Sequence, residues 1–239
     1  MSMNLSVFTI GLPILLGGLV NTVLFSFAAI ALATVVAPGI ALARLSKRRV
    51  LRWPATVYVE TLRNTPFLVQ AFLFFYGLAA LGWRINASLA GILTLTLFGS
   101  ATFSEGVRGA IVSVAPGQLE AARAVGMPYL LALRRIVFPQ MWGYLIPSYT
   151  NHATGLIKEC SVLSIITVPE IAMAAQFVIG ETYAPLQGYA MVALLYWGLT
   201  TTVSALISSF LLLRRRIGAT PLRYEPGSPA HMLFTRTQA

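Results

Sequence analysis

The chain has 239 residues, of which 57% are hydrophobic and 10% charged, and its mean hydropathy is +0.77. A soluble domain carries about 25% charged residues, so this composition excludes one and specifies an all-α integral membrane protein. The net charge of +10 does not indicate nucleic acid, because the basic residues cap apolar segments instead of clustering with aromatics on a solvated face.

Several apolar windows are long enough to cross a hydrocarbon core of ~30 Å as helices of roughly 20 residues, and about five transmembrane helices are expected. No Lys or Arg precedes the first apolar run, so the start reads as retained and not as a cleaved signal. Residues 1–17 contain Pro13 and are expected at the interface, ahead of a first span over about Gly18 to Leu42. A second span over about Trp53 to Leu81 holds Arg63 and Pro66 and must bend or break there. The third covers about Ala87 to Val107 and the fourth about Met141 to Lys158. A semipolar stretch with a short helix follows, then a fifth span over about Gln187 to Leu213. Residues 18–216 thus form the membrane domain, and 217–239, with three prolines, read as a tail.

Fourteen of the 17 Lys and Arg fall on one side if the 44–52 cluster, the 108–135 loop and the tail share it. The positive-inside rule makes that side cytoplasmic. The N-terminus is then expected outside and the C-terminus inside.

The 108–135 loop contains Gly117, Gln118 and the run Leu119 to Val125, whose helix propensity is high. Glu120 is expected in the first turn of a short helix at about 117–127, where the helix dipole favours a carboxylate, and Gly126 as the left-handed residue that ends it. Ala121, Ala122 and Ala124 leave its sides bare enough for another protein to approach the backbone.

The ordered set Glu120, Ala121, Ala122, Gly126, Ile136 and Pro139 resembles the EAA motif of ATP-binding-cassette importer permeases, with Phe138 where leucine is usual. "YVETLRNTPFLVQ" (Tyr58 to Gln70) is similar to the Arg-Gly-Thr-Pro segment of the polar amino acid permeases, of the histidine, glutamine and arginine uptake type, with Asn64 in place of glycine. Glu105, Arg108, Gly109, Ile111, Gly117 and Gln118 also resemble that pattern, as do Asn151, Lys158 to Val162 and Glu170. The resemblance covers about residues 15 to 213. It implies a type I importer permease fold in a bacterial inner membrane, with Gly117, Gln118, Glu120, Ala121, Ala122 and Gly126 coupling the chain to an ATPase. It also implies the partners: a second permease, identical or sister, two ATPase subunits and an extracytoplasmic amino-acid-binding protein.

No phosphate-binding loop of the Gly-x-x-x-x-Gly-Lys-Ser/Thr type occurs, so ATP and Mg are expected on the partner ATPase and no cofactor on this chain. Neither a metal-ligand cluster nor a nucleophile with a base at usable spacing is present; catalytic residues are expected to be none, and metal none. The lone Cys160 excludes an internal disulfide.

Charges at bilayer depth must be paired or wet. Glu60 and Arg63, three apart, are expected to pair beside Pro66, and Glu105 with Arg108 likewise. Pro147, Asn151, Thr154 and Lys158 form one polar stripe on the fourth span, and Thr96, Ser100 and Ser104 a comparable one on the third; each suits either helix packing or a translocation route. Phe72, Phe74, Phe75 and Tyr76 suit an interfacial belt or a gate, and His152 a structural role. The candidate route residues are Arg63, Thr65, Pro66, Gln70, Ser100, Ser104, Asn151, Thr154 and Lys158. For a zwitterion, Lys158 or Arg63 would meet the carboxylate, and Glu60 or unwound backbone near Pro66 the ammonium. An ion-coupled transporter, a passive channel, a poreless scaffold and a permease for another small solute are the competing readings. The first of these commonly shows repeated halves, which are not evident here.

Overall fold

The computed structural model describes residues 5–218, with side chains over 9–129 and 131–209. Helices alone build these residues, and no strand occurs among them. α1 spans Leu5–Leu45, α2 Arg49–Asn64, α3 Phe67–Ala80 and α4 Ala87–Val112. α5 is the short Pro116–Ala124, α6 runs over 129–166 and ends in the 3₁₀ turn Cys160–Ile166, α7 is Ile171–Thr182 and α8 is Pro185–Gly218.

Thr9–Leu45, Ala87–Val112 and Pro185–Ser209 are each long and apolar enough to cross a membrane, and Leu133–Ile166 with Ile171–Thr182 make a fourth passage bent by 50°. The second expected span breaks, because Thr65 precedes a proline and takes the extended backbone (φ −101°, ψ 135°) that such a residue prefers. Of its pieces, α2 is amphipathic and α3 is short. Residues 5–17 continue into α1 as one helix, with Pro13 and Pro38 inside it. The expected tail falls on α8 as far as Gly218 and then lies outside the described residues.

α4 is the central helix, half of its most apolar window being buried, against 11% for α8 at the periphery. α1 packs along it through Ala29, Ala33, Ala37 and Ala41, all nearly solvent-free. Small side chains at helical spacing let two helices approach closely, and dispersion then substitutes for the hydrophobic drive that lipid cannot supply. Gly99 lies where three helices meet: a Cβ there would lie 3.0 Å from Leu156 Cδ2 on α6 and 3.2 Å from Ala33 Cβ. Around this seam Leu95, Phe103, Leu156, Ile157, Leu163 and Ile166 form the main core.

The bend between α6 and α7 is held by polar bonds in an otherwise apolar region. Thr167 adopts a left-handed backbone (φ 63°) that stops the 3₁₀ turn. Glu170, fully buried, then caps α7 by accepting from the Ala172 and Met173 N–H groups at 2.8 and 2.7 Å, and from the Tyr196 hydroxyl of α8 at 2.7 Å. From α1, the Asn21 side-chain amide donates to the Pro169 carbonyl at 2.7 Å, and Thr22 Oγ1 accepts from Ile171 N–H at 3.1 Å. The corner is thus tied to α1 through Asn21 and Thr22 and to α8 through Tyr196, while Glu170 also satisfies the first N–H groups of its own helix.

Candidate functional site

α5 projects from one end of the bundle, between α4 and α6. Pro116 occupies its first helical position, where a missing N–H costs nothing and the fixed φ suits the helix. At the other end Gly126 has φ +79°, its N–H donates to Arg123 O, and the Met127 N–H reaches back to Ala122 O, both at 3.0 Å. This pair of bonds is the Schellman arrangement that the glycine makes possible. The helix therefore ends as the sequence reading expects, but it starts earlier. Because Pro116 is first, Glu120 lies beyond the first turn, and the expected dipole contact of its carboxylate is not made.

Exposure divides the helix into two faces. Gly117, Gln118, Glu120, Ala121 and Ala124 are exposed, while Leu119 is half-buried and Ala122 is 4% exposed. Ala122 thus serves the chain's own packing, and the bare face is carried by Gly117, Gln118, Ala121 and Ala124 with Glu120. Beyond Gly126, α6 starts through a π turn at Leu133–Val137 that contains Arg134 and Arg135. α5 packs on residues 129–137, the first turns of α6 together with this π turn.

At the same end of the bundle, Glu105 of α4 gathers three arginines. It accepts from Arg108 at 2.7 and 3.2 Å, pairs with Arg63 at 3.4 Å and bonds Arg44 of α1. Arg44 also holds Glu60 at 3.1 Å, and Glu60 accepts from Asn64 at 3.1 Å. The expected Glu105–Arg108 pair forms. The expected Glu60–Arg63 pair does not, since each residue finds a partner on another helix. Arg44 was hidden in a basic run that otherwise only reports orientation.

Gln70 is 3% exposed and staples the break in the second passage: its Nε2 donates at 2.7 Å to Leu62 O, which Pro66 leaves without its helical donor, and at 2.9 Å to Thr65 O beyond the end of α2. Thr65 is half-buried beside it, Pro66 is exposed, and Arg63 is spent on Glu105. Ser100 and Ser104 are buried between helices. Ser100 shares a 2.7 Å hydrogen bond with the Tyr58 hydroxyl, and Ser104 donates to Ala101 O at 2.6 Å.

The α6 stripe is placed differently. Pro147, Asn151 and Lys158 are exposed on the surface of the chain, and Thr154, half-buried, turns its hydroxyl back to Thr150 O at 2.9 Å. Lys158 joins no ion pair among the described residues. Next to this surface, Glu105, Gly106, Gly109, Ala110, Tyr144, Ser148 and His152 line an open groove of about 240 Å³. His152 lies beside Phe103, with ring centroids 6.3 Å apart. Phe72 and Phe75 each pack on Tyr76 around a second π turn, Leu73–Gly77. No group of three or more metal-ligating side chains occurs among the described residues.

Apolar helices with a broken passage, a capped external helix and a polar surface seam define a membrane transport subunit. The family model for the binding-protein-dependent transport system inner membrane component matches residues 29–217, and the chain belongs to that family. Among similar curated proteins, the nopaline transport system permease protein NocM of Agrobacterium fabrum is 38% identical over 205 residues, covering 82% of this chain and 85% of that one. The probable glutamine ABC transporter permease protein GlnM of Bacillus subtilis is 34% identical, covering 84% and 94%. A crystal structure of an amino acid ABC transporter with histidines superposes with a TM-score of 0.82 at 31% identity, over 88% of this chain and 98% of that one. The inward-facing MetNI methionine transporter, at 16% identity and a TM-score of 0.65 over 82% and 95%, shares the fold.

Proposed function

We propose that this chain is the permease subunit of an ATP-driven importer for a polar amino acid. It forms half of a pore with an identical or sister permease, and receives its solute from an extracytoplasmic binding protein. The end carrying α5 faces the cytoplasm, and ATP with Mg binds to two partner ATPase subunits. The observation that carries this reading is α5 itself, a helix closed at both ends by Pro116 and Gly126, with one face packed through Ala122 and the other bare.

Closure of the ATPase pair on ATP drags the two α5 helices, and the connections through α4 and the π turn of α6 pass that displacement to the crossing helices. Access then alternates between the two sides. The motor can drive this only to the extent that it prefers one state of the pore. The Asn151–Lys158 seam lines the route, its ammonium serving a substrate carboxylate.

The test is to measure uptake and ATPase association in Glu120→Lys and Gly126→Pro. Both are expected to lose transport and to weaken association, with membrane insertion unchanged. Normal uptake in both variants, or uptake that survives ATP depletion while ion gradients are held, would overturn the reading.

A further inference from the structure

Just beyond α1 the chain turns sharply into α2, and this elbow is charged and apolar at once. Lys47, Arg48, Arg49 and Arg52 are all exposed. None of them enters the ion pairs of the described residues, which take only Arg44 from this region. Between them Val50 is 84% exposed, Leu51 50% and Trp53 71%. Along α2, Arg49 and Arg52 fall on one strip and Val50, Trp53 and Val57 on the adjacent one, since residues three and four apart share a face. The first turn of α2 has no side-chain cap, so the positive end of the helix opens onto the same space as the four cations.

Position decides what can cover such a surface. The outward face of the crossing helix α1 stays apolar to its end, with Val35, Val36, Leu42 and Leu45 exposed, so the lipid-facing surface runs on into the elbow. A basic strip beside an apolar strip containing Trp is the composition that lies in that boundary. Clustered Lys and Arg immediately beyond a crossing helix attract anionic lipid. An acidic protein surface would complement the cations but would leave Val50 and Trp53 facing water or charge. Lipid satisfies both strips.

We propose that the elbow at 47–57 is a docking surface for anionic phospholipid, with Arg48, Arg49 and Arg52 around the headgroup phosphate and Val50 and Trp53 in the acyl boundary. This stands apart from the transport reading, since it needs neither the ATPase nor a substrate.

The test uses the full chain carrying Trp83→Phe, Trp142→Phe and Trp197→Phe, reconstituted in vesicles, so that emission comes from Trp53. Brominated phosphatidylglycerol is expected to quench it about threefold more strongly than brominated phosphatidylcholine at equal mole fraction, because four cations concentrate the anionic lipid locally. Lys47→Gln, Arg48→Gln, Arg49→Gln and Arg52→Gln together should bring the two lipids level. Raising salt should do so without any change to the elbow. Equal quenching by the two lipids in the unmodified elbow, or a preference that survives both charge removal and high salt, would overturn the proposal. Loss of quenching by either lipid once an ATPase subunit is added would assign the surface to that protein instead.

Discussion

Arg44 at the end of α1 and Glu105 on α4 are 61 residues apart in sequence, yet the guanidinium of one is bonded to the carboxylate of the other. That carboxylate also serves Arg63 and Arg108, and its side chain is only 19% exposed. Three helices are therefore tied through one group. Glu105→Gln would leave three cations facing a neutral amide and is expected to cost about 1–3 kcal/mol, less than a fully buried pair because the site is part-solvated. Thermal unfolding of the detergent-purified protein would register this as a lower midpoint. An unchanged midpoint would mean that solvent already screens the cluster.

Ala121 and Ala122 are adjacent but have opposite surroundings, and this separates docking from folding. Ala122→Leu should overpack α5 against residues 129–137 and destabilise the chain by about 1–3 kcal/mol. Ala121→Trp adds bulk to the exposed face, and should leave thermal stability within about 0.5 kcal/mol while reducing capture of ATPase subunits. Reversed results for the two positions would show that the faces of α5 are misassigned.

Gln70 offers a test by chemistry at nearly constant shape. Gln70→Ala removes both donations to the Leu62 and Thr65 carbonyls, for an expected loss of about 1–2 kcal/mol. Gln70→Glu is expected to be worse, because an ionised carboxylate cannot donate and would confront two carbonyl oxygens. Chemical unfolding of the three forms should rank wild type, alanine and glutamate in that order.

At the α6–α7 corner, Tyr196→Phe removes one of three donors to Glu170 and should cost about 1 kcal/mol. Glu170→Ala removes the helix cap as well and strands the Tyr196 hydroxyl, for about 2–4 kcal/mol. Proteolysis of purified protein near residues 167–170 should follow the same ranking.

Thiol labelling checks the assignment of the seam. Asn151→Cys and Lys158→Cys are expected to react with a small hydrophilic reagent in membranes, and Ser100→Cys and Ser104→Cys to stay protected. The native Cys160 is fully buried and should not interfere. Protection at both 151 and 158 in the assembled complex would place the seam against another helix and away from a wet route.

What the sequence reveals about this protein is mostly local. Gly126 announces its positive φ because the helix signals before it and the residues after it leave no other role. The break at Pro66 is forced by proline geometry, and Glu105 with Arg108 by helical spacing. The same rule misleads for Glu60 and Arg63. Spacing shows which residues share a face, but it cannot show that Arg44 and Glu105 arrive from other helices with better geometry. Ser100 and Asn151 look alike as polar residues on apolar helices, and only packing separates the one sealed against Tyr58 from the one left outside.

The seam on α6 also bears on the life of the chain before assembly. A newly inserted, solitary copy would present an amide and an ammonium to hydrocarbon, which solvates neither. In the proposed pairing with a second permease, the joined copy would have this seam covered or hydrated, so the seam favours the paired over the solitary state.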